Sequence, residues 1–130
     1  MPFHSITGHR RMISLLSRAA AGRRVPPALL LAGPRGVGKR RVAQALAETL
    51  NCQEPIRDAE GLTLDACGAC VACRKIARGM HPDVPVLEPG ESGSIKIEQV
   101  REMIDRAQYR PFEGRTRVVI IDDADALVPQ

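Results

Sequence analysis

Four cysteines, Cys52, Cys67, Cys70 and Cys73, stand with gaps of fourteen, two and two residues. Four sulfurs fill the tetrahedral shell of a zinc ion, and two-residue gaps let consecutive thiolates converge on one ion. Gly68 eases the tight turn between them. A reducing compartment disfavours structural disulfides, so a metal is the better reading. The competing chemistry is a redox pair, Cys67 with Cys70 or Cys70 with Cys73. His81 is a ligand in principle, but four thiolates already close the shell. The spacing therefore predicts a structural zinc ion held by Cys52, Cys67, Cys70 and Cys73.

A second group runs Gly33, Pro34, Arg35, Gly36, Val37, Gly38, Lys39, Arg40. It fits G-x-x-x-x-G-K-[ST] at every fixed position but the last. Glycines let backbone N–H groups curl around phosphate oxygens, and the following helix adds partial positive charge. Lys39 would neutralise the β and γ phosphates of ATP. The plain alternative is an ordinary glycine-rich strand-to-helix turn. Arg40 departs from the pattern. The usual hydroxyl ligates the Mg²⁺ of Mg-ATP, whereas a guanidinium has no lone pair to give.

Further on, Val118, Val119, Ile120 and Ile121 lead into Asp122 and Asp123. An apolar strand ending in acids resembles a Walker B element. Asp122 falls at the metal-side position. Asp123 falls where ATP-hydrolysing proteins usually carry the longer Glu. Asp125 reads as a surface or capping residue.

These groups need a scaffold, and hydrophobic spacing supplies one. Met12, Ile13, Leu16, Ala19 and Ala20 predict a helix from His9 to Ala21, stopped by Gly22. Ala28 to Ala32 reads as a short strand buried on both faces. Lys39 to Leu50 is a helix with Val42, Ala43, Leu46, Ala47 and Leu50 on one face. Periodicity fades from Asn51 to Gly79, so residues 51–79 are read as an inserted zinc-binding module. Val84 to Leu87 is a strand, and Glu88 to Ser94 a loop. A helix follows with Val100, Met103, Ile104 and Ala107 facing inward, then a β-branched strand from Arg117 to Ile121. The alternation predicts an α/β fold, a parallel sheet flanked by helices.

The chain has 130 residues, enough for one domain with a modest core. With 44% apolar and 26% charged residues it reads as globular rather than disordered. No apolar stretch is long enough to cross a bilayer, and no secretory signal opens the chain. A cytoplasmic location without membrane partners is the expectation. The net charge of +4 is mild, and the three aromatics, Phe3, Tyr109 and Phe112, are too few for a base-stacking platform.

The order of these pieces resembles the AAA+ clamp-loader family of bacterial DNA polymerase III, over nearly all 130 residues. A P-loop, a helix ending in Leu50-Asn51-Cys52, then Cys67, Cys70 and Cys73 is shared by its gamma/tau and delta-prime subunits. Ile6, Thr7, Gly8 and His9 look like the segment that lies near the adenine in these proteins. His81-Pro82-Asp83, the stretch from Ile97 through Arg101, and Ile121-Asp122-Asp123-Ala124-Asp125 look like delta-prime. The resemblance implies a P-loop NTPase domain in a complex that loads the sliding β-clamp on primer-template DNA, with gamma/tau and delta subunits as partners. It also implies that residues 1–130 are the N-terminal portion of a longer AAA+ domain. Arg40 and Asp123 point to the delta-prime type, largely a rigid stator, over the gamma/tau-type motor ATPase. Two readings from other classes stay open. One is a P-loop kinase with a zinc-bearing lid, for which Arg74, Lys75 and Arg78 are the lid cations. The other is a zinc and nucleic-acid adaptor.

Overall fold

The computed structural model describes every residue except 1, 23–24, 26–27, 32–37, 62, 91–92, 123–126 and 129–130, and leaves aside the side chains of 107, 127 and 128. After a 3₁₀ turn at Phe3–Ser5, α1 spans Arg10–Ala21 and α2 spans Lys39–Asn51. A small antiparallel hairpin follows, β1 (Ile56–Arg57) with β2 (Thr63–Asp65), then α3 (Val71–Ala77). The chain continues through β3 (Val86–Leu87), β4 (Ile95–Lys96), α4 (Ile97–Ala107), β5 (Ile120–Ile121) and β6 (Leu127–Val128).

The sheet pairings outside the insert are parallel, as expected. Val86 and Leu87 of β3 lie beside Ile120 and Ile121 of β5. The same ladder reaches beyond the formal strand ends. Val118 N–H donates to the Asp83 carbonyl at 2.9 Å, and Asp122 N–H to the Leu87 carbonyl at 2.8 Å. The predicted strands from Val84 to Leu87 and from Arg117 to Ile121 are thus one parallel pair. β4 pairs with β6 in parallel, Ile95 beside Leu127. That pairing had no signal in the sequence, since two-residue strands show no periodicity.

Helix α2 is the centre of the core. Its apolar face packs Val42, Ala45 and Leu46 against Phe3, Leu16 and Ala20 of the N-terminal turn and α1. Its opposite side packs Ala47 against Ile76 of α3, Val84 and Ile120. It is buried on more than the one predicted face, and even Glu48, Thr49 and Asn51 are covered. Gly22 ends α1 as expected, its N–H returning to the Arg18 and Ala20 carbonyls.

Two expectations need correction. Residues 28–31 carry no strand pairing, and Ala32 lies outside the described residues. Leu29 and Leu30 are 46% and 82% exposed rather than buried on both faces. An apolar run becomes a strand only when a neighbour accepts and donates its backbone hydrogen bonds, and among the described residues none lies beside it. In α4, Val100 is buried and Met103 packs beside it, but Ile104 is 50% exposed. The helix turns about 100° per residue, so a four-residue apolar set spans more arc than the narrow contact with Leu87 and Ile95 covers.

Candidate functional site

The cysteine cluster is assembled from three directions. Cys52 caps the C-terminal end of α2. Cys67 follows the hairpin strand β2, and Cys70 is the N-cap of α3, whose first turn carries Cys73. The four Sγ atoms lie within 4.8 Å of one another. Cys52 and Cys70 are 3.9 Å apart. A disulfide would require about 2.05 Å, whereas thiolates about 2.3 Å from one tetrahedral ion sit close to this separation. All four are free thiols.

Backbone donors converge on these sulfurs. Cys70 N–H reaches Cys67 Sγ at 3.2 Å, Cys67 N–H reaches Cys52 Sγ at 3.3 Å, and Cys73 N–H and Gln53 N–H reach Cys70 Sγ at 3.4 and 3.5 Å. Burial pushes the Cys70 thiol up, but the N–H groups of Cys73 and Gln53 and the Cys73 and Cys67 thiols outweigh it and pull Cys70 down to about 6. Burial pushes Cys52 and Cys73 up instead. A half-buried cluster of four sulfurs fits a borderline divalent ion, whose charge would let all four ionise together.

The turn between Cys67 and Cys70 needs Gly68 for two reasons. Its φ is +77°, and a Cβ there would stand 2.9 Å from the Pro2 ring. The N-terminal segment is therefore seated on the insert. Asp65 holds it, accepting from Phe3 N–H at 2.8 Å, His4 N–H at 2.9 Å and His4 Nδ1 at 2.6 Å.

His81 takes no part in the cluster. Its buried ring accepts from Asp83 N–H through Nδ1 at 3.1 Å and turns Nε2 toward Glu113 at 3.8 Å. Asp83 beside it carries no sequence signal of a site residue beyond the string His81-Pro82-Asp83. Its fully buried carboxylate accepts from Phe112, Glu113 and Gly114 N–H. Asn51 continues the same cradle, its Oδ1 accepting from Arg115 and Thr116 N–H at 2.8 and 3.0 Å. Its Nδ2 donates to the Ala47 and Thr116 carbonyls. Gly114 is where the backbone comes closest, since a Cβ would lie 2.5 Å from Asn51 Oδ1.

At the other end of α2 lies the glycine-rich segment. Gly33, Pro34, Arg35, Gly36 and Val37 lie outside the described residues, as does Asp123. Gly38 is the N-cap of α2 with φ +97°, a conformation natural only to glycine. Lys39 and Arg40 begin the helix. Arg40 Nη1 lies 2.8 Å from Glu88 Oε2 and 3.3 Å from Asp122 Oδ2. The predicted loop terminus and the predicted acidic strand end are thus in contact, and Glu88, read as a loop residue, joins them. A Mg²⁺ ion does not fit this set. The hydroxyl ligand is missing, and Asp122 is already engaged by a fixed cation.

Parallel pairings, flanking helices and a four-cysteine insert define a mixed α/β domain. The chain belongs to a DNA polymerase III subunit family: the family model "DNA polymerase III, delta subunit" matches residues 8–130. It is 34% identical over 125 residues to DNA polymerase III subunit gamma of Buchnera aphidicola, covering 96% of this chain and 32% of that protein. Against subunit tau of Escherichia coli the identity is 34% over 96% of this chain and 18% of that protein. Against subunit delta-prime of Pseudomonas aeruginosa it is 42% over 77% of this chain and 29% of that protein. The chain thus spans a third or less of the length of these relatives. The resemblance read from the motifs holds at the level of the family, and gamma, tau and delta-prime all match at similar identity. No helix among the described residues is long and apolar enough to cross a membrane.

Proposed function

We propose that this chain is the nucleotide-loop portion of a delta-prime-type subunit, a stator-like component of a clamp-loader complex that loads the sliding β-clamp on primer-template DNA. The observation that carries this reading is the Arg40–Asp122 contact at 3.3 Å. In a motor ATPase those two positions hold a hydroxyl and a carboxylate on Mg²⁺. Here they hold each other. The cysteine cluster binds one structural zinc, gamma/tau and delta subunits are the partners, and the location is cytoplasmic. Gly33, Gly36, Gly38 and Lys39 keep the residue types that cradle phosphate, so the reading expects ATP binding that is weak or absent and no useful turnover.

The gamma/tau-type motor is the second reading, favoured by the matches that cover 96% of the chain. ATPase assays on the full-length subunit, alone and with its partner subunits, separate the two. The stator reading expects turnover from this site no greater than that of a Lys39→Ala variant. Robust turnover that requires Lys39 and is unchanged in Arg40→Thr would favour the motor.

A further inference from the structure

Helix α2 opens with Lys39, Arg40 and Arg41 and has no acid in its first turn. Three cations at the positive end of a helix are electrostatically adverse unless anions face them. Arg40 has two such anions, and it meets both through one nitrogen. Nη1 touches Glu88 Oε2 at 2.8 Å and Asp122 Oδ2 at 3.3 Å. The acids come from separate segments, one just after β3 and one just after β5, two strands that lie side by side. A positive centre bridging carboxylates from neighbouring strand ends is the arrangement a bound divalent cation would otherwise make.

We propose that the Arg40 guanidinium is the resident cation of this site, standing in the place of Mg²⁺ between Glu88 and Asp122, so that the site excludes divalent cations. This rests on reading residues 33–40 as a phosphate loop. It deepens the proposed function by naming what the site rejects. Two consequences separate a resident cation from a merely missing ligand. If only the hydroxyl were lost, Asp122 would still recruit a metal weakly, and nucleotide affinity would still rise with Mg²⁺. With a guanidinium in place, neither holds. Removing the guanidinium should then create a metal site where the wild type has none, dependent on Asp122.

The test uses the full-length, zinc-replete subunit. Mn²⁺ binding is followed by electron paramagnetic resonance, and affinity for a fluorescent ADP is measured in EDTA and in excess Mg²⁺. Zinc content and circular dichroism confirm that each variant is folded. Wild type should take up no Mn²⁺ at this site, and its ADP affinity should not increase with Mg²⁺. Arg40→Ser should gain one Mn²⁺ site, lost again in Arg40→Ser/Asp122→Asn, and any ADP affinity should become at least tenfold Mg²⁺-dependent. Arg40→Lys, which keeps a charge, should still exclude Mn²⁺. A wild-type Mn²⁺ site abolished by Asp122→Asn would overturn the proposal, and so would an Arg40→Ser variant that gains none. Assembly with partner subunits, scored on the same preparations, reports separately on the clamp-loader reading.

Discussion

Asp83 is a carboxylate with no exposed surface and three backbone N–H donors, and among the described residues Arg117, 3.9 Å away, is its ion-pair neighbour. Burial alone would push its carboxyl up. The N–H groups of Glu113, Gly114 and Phe112, with His81 beside them, outweigh burial and hold it below its ordinary value of 3.8. A depressed carboxyl stabilises the fold at pH values above its unfolded value and loses that contribution as pH falls through the folded one. Asp83→Asn keeps the shape but turns an NH₂ toward N–H donors. It should cost about 2–4 kcal/mol at pH 7, within the range for breaking charged, buried hydrogen bonds. Urea unfolding at pH 7 and near pH 3 checks this. The gap between wild type and variant should narrow at the lower pH, and an equal gap at both would mean the carboxylate charge is not what holds residues 112–114.

At the scale of elements, the insert and the central helix draw their order from different sources. Helix α2 rests on apolar packing against Phe3, Leu16 and Ala20, whereas the hairpin and the first turn of α3 surround four sulfurs, and Ile76 ties α3 to Ala47 of α2. Cys70→Ser removes one thiolate but leaves a hydroxyl that still caps α3, so the loss is that of the ligand alone. The substitution should abolish the proposed zinc binding and loosen residues 53–78 to proteolysis while α2 stays helical, because metal binding and folding of such modules are one event. Retention of one zinc per chain and unchanged protease resistance would contradict this. The same division explains what could be read from the sequence. Helices α1 and α2 showed their periodicity because burial imposed it. The hairpin and α3 showed none, as a proposed metal site would require, since ligand geometry sets the spacing of cysteines and not of their neighbours. Asp83 and Asn51 act across 29 to 65 residues of chain, and no local pattern announces such partners. His81-Pro82-Asp83 stood out only as a family-like string, without its role.

For the molecule as a whole, the insert also serves as the seat of the N-terminus. Asp65, two residues before Cys67, receives the Phe3 and His4 amides, and Pro2 lies against Gly68. Phe3 in turn caps the α1–α2 core. Stripping the metal with a strong chelator should therefore be felt outside the insert. Hydrogen exchange at the Phe3 and His4 amides should quicken at least tenfold, while amides in the middle of α2 keep their protection. Unchanged exchange at Phe3 after complete metal loss would show that the N-terminal seat stands without the ion.

Helix α2 is held at both ends by one stretch of chain. Arg40 meets Asp122, and Asn51 meets Thr116. Arg40 to Asn51 is about 17 Å of helix, and Thr116 to Asp122 is about 20 Å of extended chain, so the two segments are nearly matched in span. A rod pinned twice to the same rail can neither slide nor pivot upon it. In any rearrangement of the chain, residues 39–51 and 116–122 are expected to travel together for as long as both contacts last.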